Sequence, residues 1–213
     1  MWKQKWELWA YTAMLAVANM GLLWGQVATA WYYYPEQVLQ GQWYRLVTHG
    51  FVHVSWYHLL FDGSAFVMLY TMLRQPSRAK RTLYVLGANV GCLVGVTAVL
   101  PAHGSLGYAG LSGIAHGLMA VSALENIVET QDKTVKRIGW ITLGIVLGKA
   151  LFEAGHMNVL FSFMHSNLMG QPIGISHLSG IIGGCLAYGL CRIRRGHITS
   201  GILAQNPVQS CIS

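Results

Sequence analysis

Long apolar runs alternate with short polar stretches along the whole chain. A helix needs ~20 apolar residues to cross the hydrocarbon core of a bilayer. Six segments meet or approach that length: Leu8–Trp31, Trp56–Leu73, Thr82–Leu100, Leu111–Ile127, Ile138–Ala154 and Ile175–Ile193. The fourth and fifth are short and carry polar residues, which predicts positions inside a bundle. The pattern thus predicts an all-α membrane protein with six spanning helices. The first segment also has features of a cleaved leader, since Lys3 and Lys5 precede it and Ala28-Thr29-Ala30 resembles a cleavage site. Its apolar run is longer than a signal core, and Glu7 is unusual in a leader, so it is expected to stay as the first span.

Composition sharpens this picture. Of the 213 residues, 54% are hydrophobic and 10% charged, against ~25% charged in an ordinary soluble domain. So few charges cannot cover a soluble surface, and the same figures exclude disorder and fibrous repeats. The net charge of +7 is no sign of nucleic acid, because the basic residues sit in short loops between apolar runs. Those loops orient the chain. Lys3 and Lys5 precede span one; Arg74, Arg78, Lys80 and Arg81 follow span two; Lys133, Lys136 and Arg137 follow span four; Arg192, Arg194 and Arg195 follow span six. That places 12 of the 14 basic residues on one side, with Arg45 on the other and Lys149 inside a span. The positive-inside rule then puts both termini in the cytoplasm and the loops 32–55, 101–110 and 155–174 outside. No linker, repeat or low-complexity stretch divides the chain, which predicts one membrane domain over 1–195 and a short cytoplasmic tail over 196–213. Cys92, Cys185, Cys191 and Cys211 have neither zinc nor disulfide spacing and read as small buried residues.

Ionisable groups at membrane depth are functional candidates by default, and here they cluster. His49, His53 and His58 approach or enter the outer end of span two, followed by Asp62; Ser112 begins span four within Gly110-Leu111-Ser112-Gly113; His177 begins span six. Spans two, four and six all run from outside to inside. His58, Ser112 and His177 therefore share one depth, a little below the outer surface. A serine, a histidine to take its proton and further donors for an oxyanion are the parts of nucleophilic acyl chemistry. Gly113 and Gly117 form GxxxG in span four, and Ser176, Gly180 and Gly184 form a small-residue row in span six. Such rows let helix backbones approach closely.

These residues resemble the rhomboid family of intramembrane serine proteases. Gly110-Leu111-Ser112-Gly113 is similar to the family's GxSG nucleophile motif, and the stretch from Ser176 to Gly184 to its HxxGxxxG. Trp43-Tyr44-Arg45 is similar to a Trp-Arg element of the first outer loop, and Thr48–His53 with His58-Leu59-Leu60-Phe61 to the entry of the second helix. The resemblance covers roughly 8–195 and implies a six-helix rhomboid fold in which Ser112 is nucleophile and His177 general base and acid. A narrower resemblance is to the rhombosortase branch, through Gly107–Gly117 and through Lys149 and Glu153 on the fifth helix. That branch implies a bacterial inner-membrane enzyme opening to the periplasm. Its substrates are single-span proteins with a C-terminal Gly-Gly/hydrophobic/basic tail (GlyGly-CTERM), with release by hydrolysis or transfer to an amine. A Gly-Gly site suits the need to unwind a substrate helix.

Where rhomboids usually carry Asn four residues after the second-helix histidine, this chain has Asp62. An ionised carboxylate only accepts hydrogen bonds, so Asp62 is either protonated and donates to the oxyanion, or orients His58; orientation is the preferred reading. His58 and the Ser112 N–H are the expected oxyanion donors. His116, one turn below Ser112, competes with His177 as base but lies deeper, and is read as a structural partner. Gly110, Gly113, Gly180 and Gly184 support the site. Lys149 and Glu153 read most simply as an i,i+4 ion pair that makes both tolerable in a membrane, with substrate reading as the lesser alternative. No acid is placed beside His177, so a Ser112–His177 dyad is expected. His49 and His53 are expected as loop anchors, and His103, His156, His165 and His197 as interface residues. No metal or other cofactor is expected, since no HExxH or Cys-x-x-Cys-His occurs. Trp24, Trp31, Trp43 and Trp56 would form much of an outer aromatic belt. The rival readings are a general rhomboid protease, an inactive rhomboid that binds membrane clients, and a small channel or transporter; the last lacks paired acids along a pore face.

Overall fold

A computed structural model describes residues 5–99, 107–156 and 173–204, with side chains described up to Ile193 in the last helix. Lys3, His103, His165, Cys211, the side chains of Arg194, Arg195 and His197, and the end of span three at Leu100 lie outside the described residues. Among the described residues six longer helices carry the fold: α1 (Glu7–Ala18), α2 (Trp56–Met72), α3 (Arg78–Val99), α4 (Ser112–Val128), α5 (Lys133–His156) and α6 (Gly174–Ala204). Two short helical turns, Pro35–Leu39 and Arg45–Thr48, lie in the connection between α1 and α2. There is no strand among the described residues, only an isolated bridge between Tyr33 and Tyr108.

By length and composition α3, α5 and α6 suffice to cross a membrane. At 17 residues each, α2 and α4 rise ~26 Å, just short of a ~30 Å hydrocarbon core. The first apolar segment departs from expectation. Its α-helix stops at Ala18 after 12 residues, and the rest of the run to Trp31 is broken into 3₁₀ turns around Gly25, whose φ is 69°. Asn19 is the physical reason. Its buried carboxamide donates to Leu15 O (2.8 Å) and Phe51 O (2.6 Å) and accepts from His53 N–H (2.9 Å). These bonds satisfy the helix end and tie it to the loop before α2. At the other extreme α6 runs past 195 into the expected tail, to Ala204.

The core helices touch through small residues. A Cβ on Gly113 would lie 2.8 Å from Ser176 O and 2.5 Å from Cys92 Sγ, and one on Gly117 would lie 2.6 Å from Gly180 O. Both rows seen in the sequence therefore face each other across α4 and α6. Gly87 and Gly91 of α3 meet Gly183 of α6 in the same way. The outward faces are apolar: Val90, Val94, Ile141, Ile145, Ile182 and Leu186 are all more than half exposed, a surface suited to lipid and not to water. Polar groups are gathered at two ends inside. At one end Glu7 pairs with the Arg81 guanidinium and accepts from Tyr70 OH at 2.8 Å. There Lys5 also donates to Tyr70 O (3.0 Å), Thr71 O (2.7 Å) and Leu73 O (2.7 Å) at the end of α2. Glu7 is thus retained as half of a buried ion pair that joins α1 to α3. The other end holds Ser112, His177, Glu153 and Asp62.

Candidate active site

Ser112 is the first residue of α4. N–H groups at a helix start have no intrahelical partner, and the helix dipole favours negative charge there. Gly110, just before it, has φ 113°, and a Cβ there would lie 2.9 Å from the His58 ring and 3.0 Å from Asp62 Oδ2. Only glycine fits this turn. The turn is held from two sides: Gly110 N–H donates to His49 O at 2.9 Å, and Leu111 N–H donates to Asp62 Oδ2 at 3.0 Å.

The Ser112 hydroxyl lies 3.1 Å from His177 Nε2. His177 is the fourth residue of α6 and 3% exposed. Its Nδ1 lies 2.6 Å from Glu153 Oε2 on α5, a contact with no local signature in the sequence. The Nδ1 hydrogen goes to the carboxylate, which leaves Nε2 as the acceptor facing Ser112. Glu153 is fully buried and receives Lys149 Nζ on Oε1 at 2.7 Å and on Oε2 at 2.8 Å. The expected ion pair exists, but it stands against the histidine and not apart from it.

Lys149 also donates to His116 Nε2 at 3.0 Å, so that nitrogen is an acceptor. His116 Nδ1–H then donates to Ser112 O at 2.7 Å. With both ring nitrogens engaged away from the Ser112 hydroxyl, His116 has no lone pair for it. Its ring lies parallel to that of His177, centroids 4.0 Å apart at 13°. The ammonium thus contacts Glu153 Oε1, Glu153 Oε2 and His116 Nε2.

On the other side of Ser112, His58 Nε2 lies 3.1 Å from Asp62 Oδ2 and His53 Nε2 3.6 Å from it. His58 Nδ1 faces Val54 N–H at 3.5 Å. Asp62 Oδ2 therefore lies between the Leu111 N–H and the His58 ring, as a carboxylate acceptor would. His58 directs its N–H to Asp62, so neither ring nitrogen points out towards a substrate. This differs from a His58 that Asp62 aims at an oxyanion: the carboxylate holds the His58 ring and the Leu111 backbone together. His49 is a loop anchor. Asn89 donates to Leu46 O (3.0 Å) and accepts from His49 Nε2–H (2.9 Å), and burial pushes the His49 imidazole down to about 4, which keeps it neutral. Arg45 of the Trp-Arg element is buried, bonding Tyr32 O (2.6 Å) and Gln42 Oε1 (2.7 Å), while Trp43 is exposed.

Among the described residues two groups have donor atoms close enough to hold a metal ion, His53/His58/Asp62 and His116/Glu153/His177, each within 4.8 Å. The first group is already close in the sequence, whereas the members of the second come from three helices and meet only in the fold. Cys92, Cys185 and Cys191 form no disulfide.

A family model described as the Rhomboid domain matches residues 40–195, which takes in α2 to α5 and most of α6. The chain belongs to the rhomboid family. Rhomboid proteases are intramembrane serine proteases, and with its apolar helices this rhomboid is a multi-pass membrane protein. It is 26% identical over 185 residues to a protein of Bacillus subtilis (strain 168) named "Putative rhomboid protease YdcA", covering 86% of this chain and 82% of the relative. No solved structure matches this rhomboid at a significant level.

Proposed function

We propose that this rhomboid is an active intramembrane serine protease of the rhombosortase type. It cuts exported proteins at a C-terminal Gly-Gly/hydrophobic/basic tail, in the bacterial inner membrane, with six spans, both termini cytoplasmic and the site open to the periplasm. The observation that carries the catalytic reading is the Ser112 Oγ to His177 Nε2 approach of 3.1 Å at the start of a helix. Ser112 Oγ attacks the scissile carbonyl carbon while its proton passes to His177 Nε2. The oxyanion forms at the N-terminus of α4, where the Ser112 N–H is available to it. His177 then returns the proton to the leaving amine, which departs with the tail. Water, or a second amine, takes the acyl group from Ser112. His58 borders this position and joins the oxyanion only after its ring turns away from Asp62. The extended motif from Gly107 to Gly117 and the Lys149/Glu153 pair support the rhombosortase assignment.

Labelling with a fluorophosphonate tests the chemistry. We expect the wild type to be labelled and to process a Gly-Gly-tailed substrate, and Ser112→Ala and His177→Ala to do neither while remaining folded in the membrane. Normal turnover by either variant overturns the dyad. Replacing the substrate's Gly-Gly by Leu-Leu tests the specificity. Loss of processing supports the tail-cutting reading; undiminished processing leaves a general rhomboid protease of single-span proteins.

A further inference from the structure

Resting on that reading, we propose that Glu153 is a positioning residue for the reaction, the third member of a Ser112–His177–Glu153 relay. Its carboxylate has no exposure and sits 2.6 Å from His177 Nδ1. A group in that place fixes the tautomer, holds the ring towards Ser112, and stabilises the imidazolium formed as the serine is deprotonated. Glu153 is itself held in place. Lys149 lies within 2.8 Å of both its oxygens, so the buried carboxylate has an ammonium partner as well as the imidazole. Lys149 is in turn fixed by His116, which is fixed by Ser112 O. The chain of contacts thus starts at the nucleophile's own carbonyl and returns to its hydroxyl, through His116, Lys149, Glu153 and His177. The His116 ring also packs flat on His177, so the base cannot tilt without breaking that contact. Lys149 is placed in this arrangement as a support for the base, through Glu153 and His116.

Steady-state kinetics of the full-length protein on a Gly-Gly-tailed substrate, with the fluorophosphonate labelling rate alongside, test the relay. Glu153→Gln is expected to lower kcat on the order of 10³-fold, near the ~10⁴ known for the equivalent change in Ser-His-Asp proteases. KM should stay within about twofold, and labelling should slow in parallel. Glu153→Asp, which keeps the charge, is expected to restore part of the rate. Because an unpaired Lys149 could unfold the single variant, Glu153→Gln/Lys149→Met removes both charges together. If the pair served only to neutralise itself, the double variant would regain wild-type kcat; the relay predicts that it stays slow. Wild-type kcat in either variant overturns the relay. A wild type that neither cuts nor reacts overturns the protease reading instead, so the two failures are distinguishable.

Discussion

At the residue scale the most informative side chain is Asp62. One of its oxygens accepts from Leu111 N–H at 3.0 Å and faces His58 Nε2 at 3.1 Å. Asp62→Asn keeps an acceptor oxygen in reach of both donors but loses the charge that makes such bonds strong. We predict a loss of ~10-fold in kcat/KM, well under the ~10²–10³ of a lost oxyanion donor. Asp62→Leu leaves the Leu111 N–H buried and unpaired, so a larger fall and a lower melting temperature are expected. His58→Ala should fall in parallel with Asp62→Asn, and the double variant should add little. Fully multiplicative losses would show that the two residues act separately. Wild-type turnover by Asp62→Leu would remove Asp62 from the account of the nucleophile turn.

At the scale of elements, the site depends on how closely α4 approaches α6. A Cβ on Gly180 would run into Gly113 O and lie 2.8 Å from Cys92 Sγ. Backbone cannot yield as a side chain does. Gly180→Val is predicted to destabilise by about 1–3 kcal/mol or more and to part Ser112 from His177, so labelling falls along with melting temperature. Gly144 on α5 is the contrast, because a Cβ there meets nothing within 4 Å. Gly144→Ala is expected to be neutral or to stabilise the helix by up to about 1 kcal/mol. Equal melting temperatures for the two variants would mean that the glycine rows are not the contact that sets the spacing. The same scale explains the short first helix: a run apolar enough for a full span is cut at Asn19, because the carboxamide bonds Phe51 O and His53 N–H from another segment.

For the whole molecule, the arrangement is a bundle with apolar outward faces and two polar ends. One end carries Glu7, Arg81 and Lys5; the other carries Ser112, His177, Glu153 and Asp62. Lys5, Arg74, Arg78 and Arg81 lie at the first end, which with the positive-inside rule motivates the prediction that both termini face the cytoplasm. A C-terminal alkaline phosphatase fusion should be inactive, and a fusion within the loop 155–174 active. Activity of the C-terminal fusion would reverse the orientation and place the site on the cytoplasmic side.

Several of these features were legible in the residues alone. The length of apolar runs is a local property, and it located α2 to α6 to within a few residues at most helix starts. The clustering of Ser112, His58 and His177 was legible because each begins a helix entering from the same side. Other features required the tertiary structure. Glu153 already had a satisfactory local partner in Lys149 four residues before it, so nothing in the sequence demanded a second. Its contact with His177 joins residues 24 apart on different helices and depends on the rotation of α5 about its axis when it packs. The same is true of Asp62: its neighbour on the helix, His58, is a matter of spacing, whereas its bond to Leu111 N–H crosses 49 residues. Spacing determines which groups share a helix face; only packing decides which face meets which.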